Sequence, residues 1–232
     1  MDLKFEDVTN LLHISKATLE KWMEKKSVPY YTISGTPRFN RQELEEWLME
    51  SVVKDRDLPM GENDDGASTW NKYCLYRAIH KGLVIDGVAS TSKEQIIHLV
   101  MDASASQLKI NPEIVAEMLI ERENLMSTAL GAGIAVPHTR DFLLHEYTDA
   151  AVVVYLDSPI DWGAVDGSLT ETLLFLFACD DKRHLNLLAK VAHFTTMKET
   201  RDLLKQKPSK EKLLEAILEF EKSLSRPTLC SV

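Results

Sequence analysis

Residues 121–140 read ERENLMSTALGAGIAVPHTR, and the fold of most of the chain turns on how that run is parsed. It begins in a helix. Asn111-Pro112 supplies an N-cap and a proline at the first helical position, and Ile114, Val115, Met118 and Leu119 follow at helical spacing. Glycines at 131 and 133 interrupt, and the apolar run Ala132–Val136 has the character of a strand. Pro137 ends it and His138 follows at once, beside Thr139 and Arg140. Gly131-Ala132-Gly133 lacks the third glycine of a dinucleotide fingerprint, so a nucleotide-cradling loop is not indicated. The run singles out His138, although a histidine beside a proline is by itself ordinary loop sequence.

Outward from this run the pattern is mixed α/β. Ser92-Lys93-Glu94-Gln95 reads as a capping box opening a helix with Ile96, Ile97, Val100 and Met101 inward. Ala150–Leu156 and Leu173–Cys179 are further strand-like runs, and His184–Val191, Lys198–Leu204 and Ser209–Phe220 have helical spacing. The chain has no HExxH and no GxSxG, and no two of its seven histidines are spaced i, i+4. No metal site is expected. Cys74, Cys179 and Cys230 form no CxxC pair, so neither a zinc knuckle nor a disulfide framework is expected. The opening MDLKFEDVTN lacks an apolar signal core, and no apolar run approaches the ~20 residues of a membrane span. The expectation is a cytoplasmic protein without membrane insertion.

The 232 residues carry 27 Lys+Arg and 36 Asp+Glu, a net charge of -9. That balance argues against a nucleic-acid partner until it is divided. Residues 1–56 have net charge -1, residues 57–232 have -8, and residues 15–41 alone have +4. Between the halves, DRDLPMGENDDGAS at 55–68 offers five acids and almost nothing to bury. The expected organisation is a small domain at 1–54, a linker at 55–70 and a larger domain at 71–225.

In the small domain, Phe5, Val8, Leu11 and Leu12 give a first helix, His13-Ile14 a turn, and Ser15 the N-cap of a second helix. Leu19, Trp22 and Met23 face inward on that helix, which leaves Lys16, Thr18 and Lys21 outward. Tyr30–Ile33 and Arg38–Asn40 flank the turn Ser34-Gly35-Thr36-Pro37, and Glu43–Leu48 starts a closing helix with Leu44 and Trp47 inward. This order is that of a winged helix-turn-helix, whose second helix enters a major groove. FEDVTNLLHISKATLEKWMEKKSVPYYTISGTPRFNRQELEEWL resembles the excisionase family of DNA-binding domains, relatives of the MerR type. The resemblance implies DNA contacts from Lys16, Thr18, Lys21, Arg38 and Arg41. Lysines on a short helix also suit a plain solvated face, and a protein-interaction role for the same fold stays open. A local +4 is small for phosphate neutralisation, so specific DNA binding would call for a homodimer or a cooperative array.

From about residue 75 to 223 the chain resembles the type 2 EIIA domains of the phosphoenolpyruvate-dependent phosphotransferase system. These include the fructose- and mannitol-type components and the nitrogen-regulatory proteins. The stretch that carries the resemblance is Ile134-Ala135-Val136-Pro137-His138 behind the arginine-containing helix end. It implies a mixed sheet with flanking helices. It also implies a phosphohistidine-forming relay in which His138 accepts a phosphoryl group from an HPr-type carrier. By the same resemblance Arg122, sixteen residues before His138, is the site arginine and His184 the second site histidine. Thr139, where the family often has glycine, and Arg140 would complete the phosphoryl environment. Outside the resemblance, Arg122 between Glu121 and Glu123 suits a helix-end ion pair, and His184 suits a surface position. No cofactor is implied beyond the phosphoryl group that phosphoenolpyruvate supplies through carriers. The fusion suggests regulation, with phosphorylation altering DNA binding or the choice of a target protein. A transport EIIA handing phosphate to an EIIB domain, and an unphosphorylated DNA-binding scaffold, are the alternatives.

Overall fold

The computed structural model describes residues 2–12, 14–41, 43–44, 47, 73–89, 92–139, 149–179 and 181–224. His13, the segment 55–70, Arg140, His145 and Cys230 lie outside them.

The N-terminal unit pairs helices α1 (Phe5–Leu12) and α2 (Lys16–Glu24). Ser15 is extended, and its side chain accepts from the Thr18 N–H at 3.0 Å, which starts α2 where the sequence placed it. Strands β2 (Tyr31–Ile33) and β3 (Thr36–Asn40) form a hairpin. Its loop is only Ser34-Gly35, both at positive φ, the backbone that a two-residue hairpin needs. The sequence reading gave no strand before the first helix. The structure has one, β1 (Asp2–Lys4), antiparallel to β3 with Leu3 opposite Phe39. Three residues are too few for alternation to register, and the partner lies 36 positions away. Val8, Leu11, Leu12, Leu19, Val28, Phe39 and Leu44 close the core, and the rings of Trp22 and Trp47 stand 5.3 Å apart beside it.

The larger unit is built on a sheet of β4 (Val84–Val88), β5 (Ala129–Gly131), β6 (Ile134–Ala135), β7 (Ala150–Ile160) and β8 (Thr170–Phe177). Their order across the sheet is β4-β7-β8-β6-β5. β4 runs parallel to β7 and β6 parallel to β8, while β7/β8 and β5/β6 are antiparallel. The fold is therefore α/β with a mixed sheet and flanking helices, as the pattern and the EIIA resemblance together implied.

The two central strands are continuous apolar runs because both faces are covered. Ala151, Val153 and Tyr155 of β7 and Leu174 and Leu176 of β8 enter one core. That core is completed by α3 (Cys74–Lys81), α6 (Asp181–Thr196), α7 (Lys198–Leu204) and α8 (Lys210–Leu224). The alternate residues Ala150, Val152, Val154, Leu173, Phe175 and Phe177 enter a second core under α4 (Lys93–Leu108) and α5 (Pro112–Leu125), with Trp162.

Two local expectations change. Asn111 does cap α5, accepting from the Ile114 N–H at 3.2 Å. Ser92, however, does not cap the helix with its own side chain: its hydroxyl donates to the Glu94 carboxylate instead. The apolar run Ala132–Val136 does not begin as a strand either. Ala132 and Gly133 both have positive φ and form the tight turn between β5 and β6. Asp166 braces that turn by accepting the Ala132 N–H at 2.9 Å.

The N-terminal unit rests on the larger one. Leu185 and Ala189 of α6, one helical turn apart, join the apolar cluster formed by α1, α2 and β3. Beside them the side-chain amide of Asn186 donates to the Leu11 carbonyl at 3.5 Å.

Candidate functional site

The site forms where the parallel strands β6 and β8 both end. Ligands gather at the carboxyl ends of parallel strands because the following loops and helix N-termini converge there. After β6 the chain continues alongside β8: the Leu176 N–H donates to the Pro137 carbonyl at 3.0 Å, and His138 forms a parallel bridge with Leu176. After β8 the chain enters α6, whose first turn carries His184. The His138 and His184 rings therefore meet, with centroids 5.2 Å apart and planes 53° to one another. Exposures of 0 % for His138 and 2 % for His184 place both rings out of solvent.

His138 is oriented by its own backbone. Its Nδ1 lies 2.7 Å from the Val136 carbonyl oxygen. A carbonyl only accepts, so the proton of a neutral ring sits on Nδ1 and the lone pair is left on Nε2. Val136 is itself fixed, because its N–H donates to the Thr128 carbonyl at 3.0 Å. Thr128 donates both its N–H and its hydroxyl to one oxygen of Glu123, at 3.1 and 2.6 Å. A continuous set of hydrogen bonds thus ties the end of α5 to the segment that presents His138.

Arg122 occupies that helix end and is buried at 3 % exposure. Its Nη1 donates to the Met126 carbonyl at 2.9 Å, which satisfies one of the last carbonyls of α5. The neighbouring Glu123 pairs with Lys93 at 3.1 Å. Thr139 is buried beside His138 at 4 % exposure. Asp149 and Arg183 were not singled out by the sequence. Asp149 accepts from the Cys179 N–H at 3.3 Å and lies 3.8 Å from Arg183 Nε, which fixes the β8–α6 passage next to His184. Their signal was weak, since neither belongs to a motif and 34 residues separate them.

The residues proposed for DNA are spread over the N-terminal unit. Lys16 and Lys21 are exposed on α2, and Lys16 pairs with Glu6 of α1 at 3.3 Å, an exposed contact worth little. Thr18 is half-buried, with its hydroxyl 2.8 Å from that of Ser15. Arg38 is half-buried on β3 and donates to the Pro37 carbonyl at 3.0 Å. Arg41 is half-buried, and its Nε and Nη2 are shielded from solvent. No group of three or more His, Cys, Asp or Glu able to hold a metal is present among the described residues. No helix among them is long and apolar enough to cross a membrane.

Residues 77–220 match the family model of the phosphoenolpyruvate-dependent sugar phosphotransferase system, EIIA 2, and residues 3–51 match a helix-turn-helix domain. The nitrogen regulatory protein of Pseudomonas aeruginosa is 29 % identical over 150 residues, 63 % of this chain and 96 % of that protein. The nitrogen regulatory protein of Escherichia coli K12 is 31 % identical over 159 residues, 67 % of this chain and 90 % of that protein. Among solved structures, the nitrogen regulatory protein IIA-Ntr of Neisseria meningitidis superposes with a TM-score of 0.53 at 24 % identity, over 59 % of this chain and 93 % of that one. The chain belongs to the EIIA type 2 family of the phosphotransferase system, and carries a helix-turn-helix domain ahead of it.

Proposed function

We propose that this protein is a regulatory EIIA in which His138 accepts a phosphoryl group from an HPr-type carrier and couples it to DNA binding by the helix-turn-helix domain. The observation that carries the reading is the 2.7 Å contact between His138 Nδ1 and the Val136 carbonyl, because it leaves the Nε2 lone pair as the nucleophile. That lone pair attacks the phosphorus of the carrier's phosphohistidine. The N–P bond to the carrier breaks as the bond to Nε2 forms, and the leaving pair of electrons stays on the carrier's ring. No proton moves in the step. Nδ1 keeps its proton and goes on donating it to the Val136 carbonyl, whose dipole offsets the positive charge that develops on the ring.

Such a transfer depends on positioning and charge more than on covalent assistance. His184 packs against the acceptor ring and limits its rotation, and Arg122 supplies positive charge at the end of α5. The N-terminus of α6 adds peptide dipoles of the sign that favours phosphoryl oxygens. Thr139 lines the acceptor. Arg140 follows it in sequence.

The regulatory reading draws on the helix-turn-helix domain fused to the family fold, and on relatives named nitrogen regulatory proteins. The phosphorylated form would meet a target protein or DNA, with Lys16, Thr18, Lys21, Arg38 and Arg41 on the DNA side and a homodimer supplying enough contacts. The test incubates the protein with labelled phosphoenolpyruvate, enzyme I and HPr. Label on wild type and none on His138→Ala is expected; equal label on both would overturn the acceptor role. A gel shift then compares the two phospho-forms, with Lys21→Glu and Arg38→Glu as controls. Rapid loss of label to an EIIB domain, with DNA binding indifferent to phosphorylation, would assign the protein to transport instead.

A further inference from the structure

A surface histidine can receive a phosphoryl group only if the donor protein can bring its own ring within bonding distance. His138 has no exposed surface at all. Its neighbour His184 opens α6, and the packing of that helix bears on how a donor can approach. From His184 to Ala192 every residue of this helix is buried, including the polar Asn186 and Lys190. A helix that covers one face of a sheet normally keeps a solvated side. Here Leu187, Leu188 and Val191 face the sheet, while Leu185 and Ala189 belong to the apolar cluster of the N-terminal unit. Leu185 and Asn186 are the two residues that follow His184, and it is Asn186 that reaches the Leu11 carbonyl of α1. The helix-turn-helix domain therefore occupies the outer face of α6 immediately beside the paired histidines.

We infer that the outer face of α6, around Leu185, Asn186 and Ala189, is a shared docking surface: the chain's own helix-turn-helix domain holds it at rest, and a phosphohistidine carrier must displace that domain to reach His138. The inference rests on the acceptor role of His138. Even a transient protein contact covers up to about 600 Å² on each partner, so a carrier centred on His138 would spread onto the flank that α1 covers. Holding α1 packed beside the product is also unfavourable, because a phosphoryl dianion kept out of water loses its hydration. Phosphorylation and docking then oppose one another. In the phosphorylated chain the helix-turn-helix domain is released from α6, whereas the exposed Lys16 and Lys21 face is uncovered in both arrangements. What phosphorylation changes is the freedom of the domain to pair with a second copy or to orient on DNA.

The experiment uses the full chain and phosphorylated HPr. Ala189 sits on the outer face of α6 and takes no part in transfer, so Ala189→Glu and Ala189→Lys should undock α1 with opposite charges. Ala189→Gln, neutral and compatible with a helix, preserves the test if a charged variant does not fold. Initial rates of His138 labelling are expected to rise about tenfold in each variant, as when a minor open state becomes the major one. Amide exchange of residues 5–12 in wild type should rise on phosphorylation by a similar factor. Equal labelling rates with unchanged exchange would overturn the shared surface and leave the acceptor role standing. A rise in only one charge variant would assign the effect to carrier electrostatics and overturn it equally. No label on any form would remove the acceptor role, and the shared surface with it.

Discussion

The Nδ1 of His138 lies 2.7 Å from the carbonyl oxygen of Val136, two residues earlier in the chain. This short loop of backbone sets the tautomer of the neutral ring, with the proton on Nδ1 and the lone pair on Nε2. The phosphoryl group is expected on Nε2, with Nδ1 protonated in the resting form. Two-dimensional ¹⁵N–¹H correlation of the imidazole in both states reads this directly. A phosphoryl group on Nδ1 would contradict the assignment, because that nitrogen would have to leave its carbonyl first.

Arg122 and His184 should affect transfer by different routes. Removing a charged donor from a site where negative charge is being handled typically costs about 10²–10³ in rate. Arg122→Ala is expected to lose about that much in the rate of phosphoryl acceptance, and Arg122→Lys to recover part of it. His184→Gln keeps a polar group of similar reach but loses the ring packed at 5.2 Å, so a smaller loss is expected. Single-turnover labelling from phosphorylated HPr, run beside thermal melts, separates transfer from folding. Arg122 also holds the Met126 carbonyl, so a melt as damaged as the rate would make its role structural.

The sequence made some of this visible and concealed the rest for physical reasons. Ser15 and Asn111 act through backbone three residues away, and both caps are where local reading put them. The apolar runs at the centre of the sheet are as plain in sequence as in structure, since burial on both faces leaves no polar alternation. His138 was legible because a proline-histidine step at the end of a strand is conspicuous once it matches a family pattern. Its enclosure was not. Leu185 and Ala189 look like core residues of any helix, and only the structure shows that their partners are Leu11 and its neighbours. The strand β1 and the Asp149–Arg183 contact were hidden for the same reason, that each is defined by a remote partner.

Glu221 illustrates a remote partner whose loss should be costly. One of its oxygens accepts from Lys190 Nζ at 2.6 Å and from the Leu75 N–H at 3.1 Å, and the other accepts from the Tyr76 N–H at 3.0 Å. Tyr73, the N-cap of α3, makes no side-chain cap bond, so a carboxylate from α8 performs that task. Lys190 and Glu221 are both nearly inaccessible, and breaking such a pair costs about 3–5 kcal/mol because a charge is left buried. Glu221→Gln should lower urea stability by an amount in that range. Adding Lys190→Met removes the stranded charge while the glutamine carbonyl can still cap α3, and should restore more than half of the loss. A single-variant loss below about 1 kcal/mol would show that the pair is unimportant to stability.

His193 gives the fold a pH dependence of predictable sign. Burial holds its pKa below the ordinary histidine value, because the ring packs edge-on to Phe220 at 5.2 Å and charging it would cost hydration. Its Nδ1 is buried with no hydrogen-bond partner among the described residues. Between the lowered folded value and the unfolded value of about 6.5, the unfolded chain binds more protons, so this residue makes stability rise with pH. Its contribution is intact above that unfolded value, falls as pH drops through it, and levels off below the folded one. His193→Phe keeps an aromatic ring against Phe220 and cannot titrate. Denaturant unfolding at pH 7 and pH 5 should therefore show a smaller decline in the variant than in wild type. Because every other ionisable group is common to the two proteins, the quantity that matters is the difference between the two slopes, and equal slopes would mean that His193 is hydrated in the folded chain.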